Sequence, residues 1–279
     1  LIFTKMNVTI LVPIDFTPVT EGALKHAILL ARQSGNVDVL LLHMCKSERD
    51  EPKAKDKLNI LADKYSDQGI KLSVRAVVGG VEEIGRLAEV LEAALICMGT
   101  HGLKGIQYLV GSKAIKVVSG TTLPFIITQK DPRKDSIQEI VVPIDFASEE
   151  KRVLSHAASI SKKLNARLHI IGASRSDQLL MKKVDLNLSF AQRFLQDKGV
   201  KFVLAKTAVD QDFQNEILGY CEKVNADLIA IVNHHEDGVR NLLGKNFDQN
   251  IITNKREIPV LMFTGKAIED KRDMFRMFN

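Results

Sequence analysis

The chain has 279 residues, of which 45% are hydrophobic and 26% charged, enough for two ordinary domains with a core each. Its formal charge of +5 comes from 39 basic and 34 acidic residues. The excess is spread over both halves, so no basic block marks a nucleic-acid surface. No stretch approaches the roughly 18 uninterrupted apolar residues of a membrane span.

The segment LIFTKMNVTILVPIDF opens the chain and is broken by Lys5, Asn7 and Asp15. It has no basic segment followed by a cleavage site, so no signal peptide is expected. Cys45, Cys97 and Cys221 are odd in number and lack metal-type spacing. They point to a reducing, cytoplasmic setting.

In chain order, a strand over 8–14 leads to a helix over 18–34. A strand over 37–44 leads to a polar helical segment over 50–68. A strand over 70–78 leads to a helix near 81–92. A strand over 94–98 leads to a glycine-rich loop and a helix near 112–119, and a strand over 123–128 follows. The strands are continuous apolar runs such as Val39-Leu40-Leu41-Leu42. A sheet covered by helices on both faces requires such runs. Alternating strands and helices imply an α/β, doubly wound, mostly parallel sheet of five strands.

The order then repeats. Val12-Pro13-Ile14-Asp15-Phe16 returns as Val142-Pro143-Ile144-Asp145-Phe146, and His26-Ala27 returns as His156-Ala157. Leu123-Pro124-Phe125-Ile126-Ile127 returns as Ile258-Pro259-Val260-Leu261-Met262. One tandem duplication accounts for all three, and its period is far too long for a solenoid. The expected domains are 1–130 and 137–265, with a polar linker over 129–136 and a tail over 266–279. The second copy carries a longer helix over 176–198.

The glycine-rich stretch is MGTHGLKGIQYLVGSKA, Met98 to Ala114. It lies at the carboxyl end of a strand, where open α/β sheets bind ligands. Glycines there permit close backbone approach and positive φ, and the next helix offers its N-terminus to an anion. Neither G-x-x-x-x-G-K-[ST] nor G-x-G-x-x-G after the first strand is present.

Pro13-x-Asp15, Leu42-His43-Met44 and Met98-Gly99-Thr100-His101-Gly102 with Gly111-Ser112 resemble the universal stress protein family. The likeness covers nearly the whole chain and is to a tandem member. That family's nucleotide signature is G, two residues, G, nine residues, G, then Ser or Thr. Here eight residues separate Gly102 from Gly111, one fewer than the pattern. The resemblance implies ATP or another adenine nucleotide, with Mg2+ or Mn2+ bridging phosphate oxygens. It places Pro13 and Asp15 on the adenosine, and Met44 where backbone groups meet the adenine. Met98 and Gly99 would line the ribose. Gly102, Gly111, Ser112 and the amide of Lys113 would hold the phosphates.

The second copy departs from this pattern. Asn233 stands for Gly99 and Glu236 for Gly102; Gly244 survives, but Asn246 does not restore the serine. The Glu236 and Asp237 carboxylates would repel a triphosphate. An occupied first site and an empty second one are expected. His234-His235-Glu236 reads as a polar loop rather than a metal site, because adjacent residues seldom aim at one ion. His43 reads as a satisfied core histidine, and His101 as a ligand contact.

The resemblance further implies that the domains pair through their last strands, forming an internal pseudo-dimer with homodimers also open. The expected role is a stress-response protein regulated by nucleotide. A scaffold that has lost nucleotide, and a slow ATPase, stay open as alternatives. No residue is assignable to orient water for hydrolysis, so no catalytic residue is expected. Protein partners are unspecified, and neither nucleic acid nor membrane is expected.

Overall fold

The computed structural model describes residues 8–100, 121–144, 150–233 and 251–264. Strand β1, Val8–Pro13, is followed by helix α1, Pro18–Ser34. Then come β2, Val37–Cys45; α2, Glu51–Asp63; β3, Leu72–Val78; α3, Ile84–Val90; and β4, Ala93–Gly99. Strand β5, Phe125–Thr128, ends the first copy. The second copy has β6, Glu139–Ile144; α4, Glu150–Leu164; β7, Arg167–Gly172; and α5, Gln178–Asp197. It continues with β8, Phe202–Lys206; α6, Phe213–Lys223; β9, Leu228–Asn233; and β10, Val260–Thr264.

These elements follow the expected order closely. Pro18 opens α1 at a position where its missing N–H costs nothing, and Gly35 ends it with φ of 64°. The polar helix is shorter than expected: α2 stops at Asp63, and a 3-10 turn over Ser66–Gln68 leads to left-handed Gly69. Likewise, α3 is preceded by a 3-10 turn over Val81–Glu83.

The ten strands of the described residues form one sheet in the order β3-β2-β1-β4-β5-β10-β9-β6-β7-β8. Each half is parallel and doubly wound. The halves join where β5 and β10 pair antiparallel, with Ile127 opposite Val260 and Phe125 opposite Met262. Successive strand residues enter opposite cores. Ile10 and Val12 pack in the core under α1, and Leu11 packs in the core under α3. All three cysteines are buried and free.

The segment expected as a linker is pinned along its length. Gln129 donates to the carbonyls of Ile252 and Asn254. Lys130 pairs with Glu257, Asp131 with Lys25, and Lys134 with Asp227. Gln33 at the end of α1 bonds both the N–H and C=O of Ile137, and also the Leu164 carbonyl. Gly22 sits against the Lys130 backbone, where a Cβ would come within 3.3 Å.

The repeated histidines face this seam. His26 Nε2–H donates to the Lys130 carbonyl at 3.0 Å, and the His156 ring stacks on Phe263 at 5.2 Å. Burial pushes both imidazoles down to about 4 from their ordinary 6.5. Between those values the unfolded chain binds the protons and the folded chain does not. Stability is therefore full above pH 6.5 and falls as the pH drops toward 4. Each imidazole accounts for roughly 3 kcal/mol across that interval. Denaturant midpoints measured from pH 7.5 to 4.5 should fall steeply for the wild type and less steeply for His156→Leu. Equal slopes would remove His156 from the explanation.

Candidate functional site

In each half the strand order reverses between the first strand and the fourth. In the first half that switch point lies between β1 and β4, the place where such sheets bind ligands. Leu11 is level with Ile96 in the ladder, which brings Pro13 and Asp15 beside Met98 and Gly99. Pro13 is level with Leu42, so Met44 projects beyond β1 on the other side. The described members of the expected set thus lie together at the carboxyl ends of β1, β2 and β4, where such a sheet would open a crevice. Gly102, Gly111, Ser112 and Lys113 lie outside the described residues. So do His101, Asp145, the helix near 112–119, His234 through Asp237, Asn246 and the tail.

The lip of the crevice is a closed turn. Asp15 Oδ1 accepts from Thr17 N–H at 2.9 Å, Thr17 Oγ1–H at 2.6 Å and Thr20 Oγ1–H at 2.9 Å. This carboxylate fastens the strand end to the first turn of α1, an Asx-type turn. Phe16 between them has φ of 66°, a left-handed conformation that costs a bulky residue energy. It places the Phe16 ring 4.7 Å from the His43 ring, with Lys57 Nζ 5.2 Å above Phe16. His43 Nδ1–H donates to the Ile14 carbonyl at 2.7 Å, as a satisfied histidine should. Thr17, Thr20 and Phe16 are absent from the sequence-derived set. The Asp-x-Thr spacing before a Pro-led helix is the signal that marks such a turn.

The far side of the crevice is built by the turn after β3. Glu51 Oε1 accepts from Val78 N–H at 3.1 Å, and Glu83 Oε1 from Gly80 N–H at 3.2 Å. Gly79 lies against Met44, whose Cε would be 3.0 Å from a Cβ there.

Gly99 corrects one expectation. It is not among the glycines with positive φ, so conformational freedom is not what this position uses. A Cβ at Gly99 would lie 2.3 Å from the Val19 carbonyl oxygen and 2.7 Å from Val19 Cγ1. Glycine here lets the first turn of α1 approach β4. The register corrects a second expectation: Leu95 is level with Ile10 and Leu228 with Ile140, so the counterpart of Gly99 is Val232, level with Phe263 as Gly99 is with Thr128, and Asn233 lies one residue further on.

The model of the universal stress protein family matches residues 6–129 and again 136–263. The chain belongs to that family and carries its domain twice. A universal stress protein from Archaeoglobus fulgidus DSM 4304 is similar over 92% of this chain and 98% of its own, with a TM-score of 0.67 and 19% identity. A functionally unknown protein from Pseudomonas aeruginosa PAO1 is similar over 98% of both chains, with a TM-score of 0.66 and 19% identity. At this identity the likeness shows the fold. A universal stress protein solved in complex with cAMP covers 47% of this chain and 98% of its own, with a TM-score of 0.40 and 19% identity. A comparison with curated proteins gave no match. No helix among the described residues is long and apolar enough to cross a membrane.

Gly99→Ala must push the first turn of α1 off β4, because the obstructing atom is backbone. The expected cost is about 1–3 kcal/mol, as for other overpacked sites. Thermal denaturation would show it as a lowered Tm. An unchanged Tm would mean that the α1 approach is not what glycine serves.

Proposed function

We propose that this chain is a regulatory protein that binds one adenine nucleotide, ATP foremost, in its first domain. The observation that carries this reading is the convergence of Pro13, Asp15, Met44, Met98 and Gly99 at the β1/β4 switch point. Gly102, Gly111, Ser112 and the Lys113 amide continue from Gly99 and form the phosphate cradle of this reading. The domains are 1–130 and 137–265, with 266–279 as a tail.

Asp15 acts chiefly as a fastener. One of its oxygens takes three hydrogen bonds, which suits a residue that holds the lip of a binding site rather than a general base. The described residues include no group of three His, Cys, Asp or Glu able to hold a metal. On this reading Mg2+ or Mn2+ would enter on the phosphate oxygens.

The second domain keeps Gly244 but has no glycine at the places of Gly99 and Gly102, and it carries Glu236 and Asp237 in the matching stretch, so the ratio is one nucleotide per chain. Binding in the first domain acts on a body already locked to the second through α1 and the connector. The role that follows is signalling to a protein partner in a stress response within the cytoplasm.

Calorimetry with ATP, ADP and AMP in the presence of magnesium tests this. One site per chain is expected, lost in Gly102→Glu, which copies the second domain. If the wild type binds none of the three at millimolar concentration, the nucleotide reading fails and a scaffold remains.

A further inference from the structure

Peptide groups along a strand point alternately to its two neighbours. In β2, Val39 N–H reaches Lys71 on the β3 side, and the Cys45 carbonyl receives Gly79 N–H from that side too. The Leu42 carbonyl receives Ile14 N–H from the opposite side. Met44, two residues beyond Leu42, therefore turns its N–H and C=O toward β1. The ladder offers its N–H one acceptor, the Ile14 carbonyl. No main-chain bond between the two is formed. His43 Nδ1–H holds that carbonyl instead, at 2.7 Å.

The second domain shows the alternative. Pro13 is level with Leu42, whereas Pro143 is level with Ile171, so Gly172 and Ala173 are the counterparts of His43 and Met44. There the main-chain bond does form: Ala173 N–H donates to the Ile144 carbonyl at 3.1 Å. Gly172 has no side chain to intervene. A Cβ on Gly172 would lie 2.8 Å from Leu188 Cδ1 and 3.0 Å from Val184 Cγ1, both on α5. The long helix takes the space that an imidazole occupies in the first domain.

We propose that His43 is a positioning residue: by holding the Ile14 carbonyl, it keeps the Met44 N–H and C=O open toward the crevice as a reader of the ligand's base. This rests on the nucleotide reading above. An N–H beside a C=O matches a ring edge that presents an acceptor next to an exocyclic amino donor, as adenine does. Guanine, with a carbonyl oxygen in place of that amino group, mismatches. Phe16, packed against the imidazole and itself under Lys57, holds the ring in place. The second domain, zipped shut at this point, lacks the reader even apart from its altered glycine loop.

The test uses the full chain with His43→Gly, which copies the second domain, and His43→Gln, which keeps a side-chain N–H donor. In the wild type without ligand, the Met44 amide should exchange rapidly with solvent by NMR, and in His43→Gly it should slow as it closes on Ile14. ATP affinity should fall about tenfold in His43→Gly, the worth of one lost hydrogen bond, and recover in His43→Gln. Inorganic tripolyphosphate, which needs only the glycine loop, should bind both variants as it binds the wild type. A protected Met44 amide in the wild type overturns the inference without any ligand. So does ATP binding that is unchanged in His43→Gly, or that weakens in step with tripolyphosphate; in both cases the nucleotide reading stands. A wild type that binds no adenine nucleotide removes the reading and the inference together.

Discussion

The antiparallel pairing of β5 with β10 is the contact on which the rest of the molecule depends. Alone, each half would end in an open strand of apolar residues, Phe125-Ile126-Ile127 on one side and Val260-Leu261-Met262 on the other. Open strands of that composition invite aggregation. Joined, they lie at the centre of a ten-stranded sheet and are buried on both faces. The ladder is short, so other groups must fix its register. The connector does this through Gln129, Lys130 and Lys134, and Gln33 ties α1 to the start of β6.

Helix α1 spans the distance from that seam to the crevice. Its first turn is fastened by Asp15 and abuts Gly99. Its middle lies against the connector at Gly22 and His26, and its end holds Ile137 and Leu164. A ligand that shifted the Asp15 turn would press on an element already in contact with the other domain. The two halves are thus mechanically one body.

Much of this was legible in the sequence because the fold rests on patterns that sequence carries directly. Continuous Val, Ile and Leu runs specify strands buried on both faces, and the recurring Val-Pro-Ile-Asp-Phe marks the repeat. Strand ends followed by Asp15, Met44 and Gly99 mark the crevice. What escaped depends on distances between elements. Gly99 looks like a ligand glycine, but its need becomes visible only when Val19 is placed against it. The break after Asp63 has no proline to announce it, since Gly69 comes several residues later. The counterpart of Met44 is Ala173 rather than Ser174, because Pro13 is level with Leu42 whereas Pro143 is level with Ile171, a register one residue shorter. That shift is invisible to a fixed offset of 130.

Covalent linkage also removes a symmetry. In a dimer of identical chains, every side chain at the seam must fit in duplicate, so a large residue on one side is a large residue on both. Here Thr128 and Phe263 hold corresponding places on β5 and β10, a small hydroxyl and a large ring, each almost wholly buried. Phe263 has His156 to stack on, while His26 has turned to the Lys130 carbonyl. The pair is matched as unlike halves, each shaped to the other. A chain paired with a copy of its own first half would set Thr128 where the ring belongs and leave that part of the core underfilled. The handedness of the assembly, first half against second, is thereby written into the packing as well as into the connector.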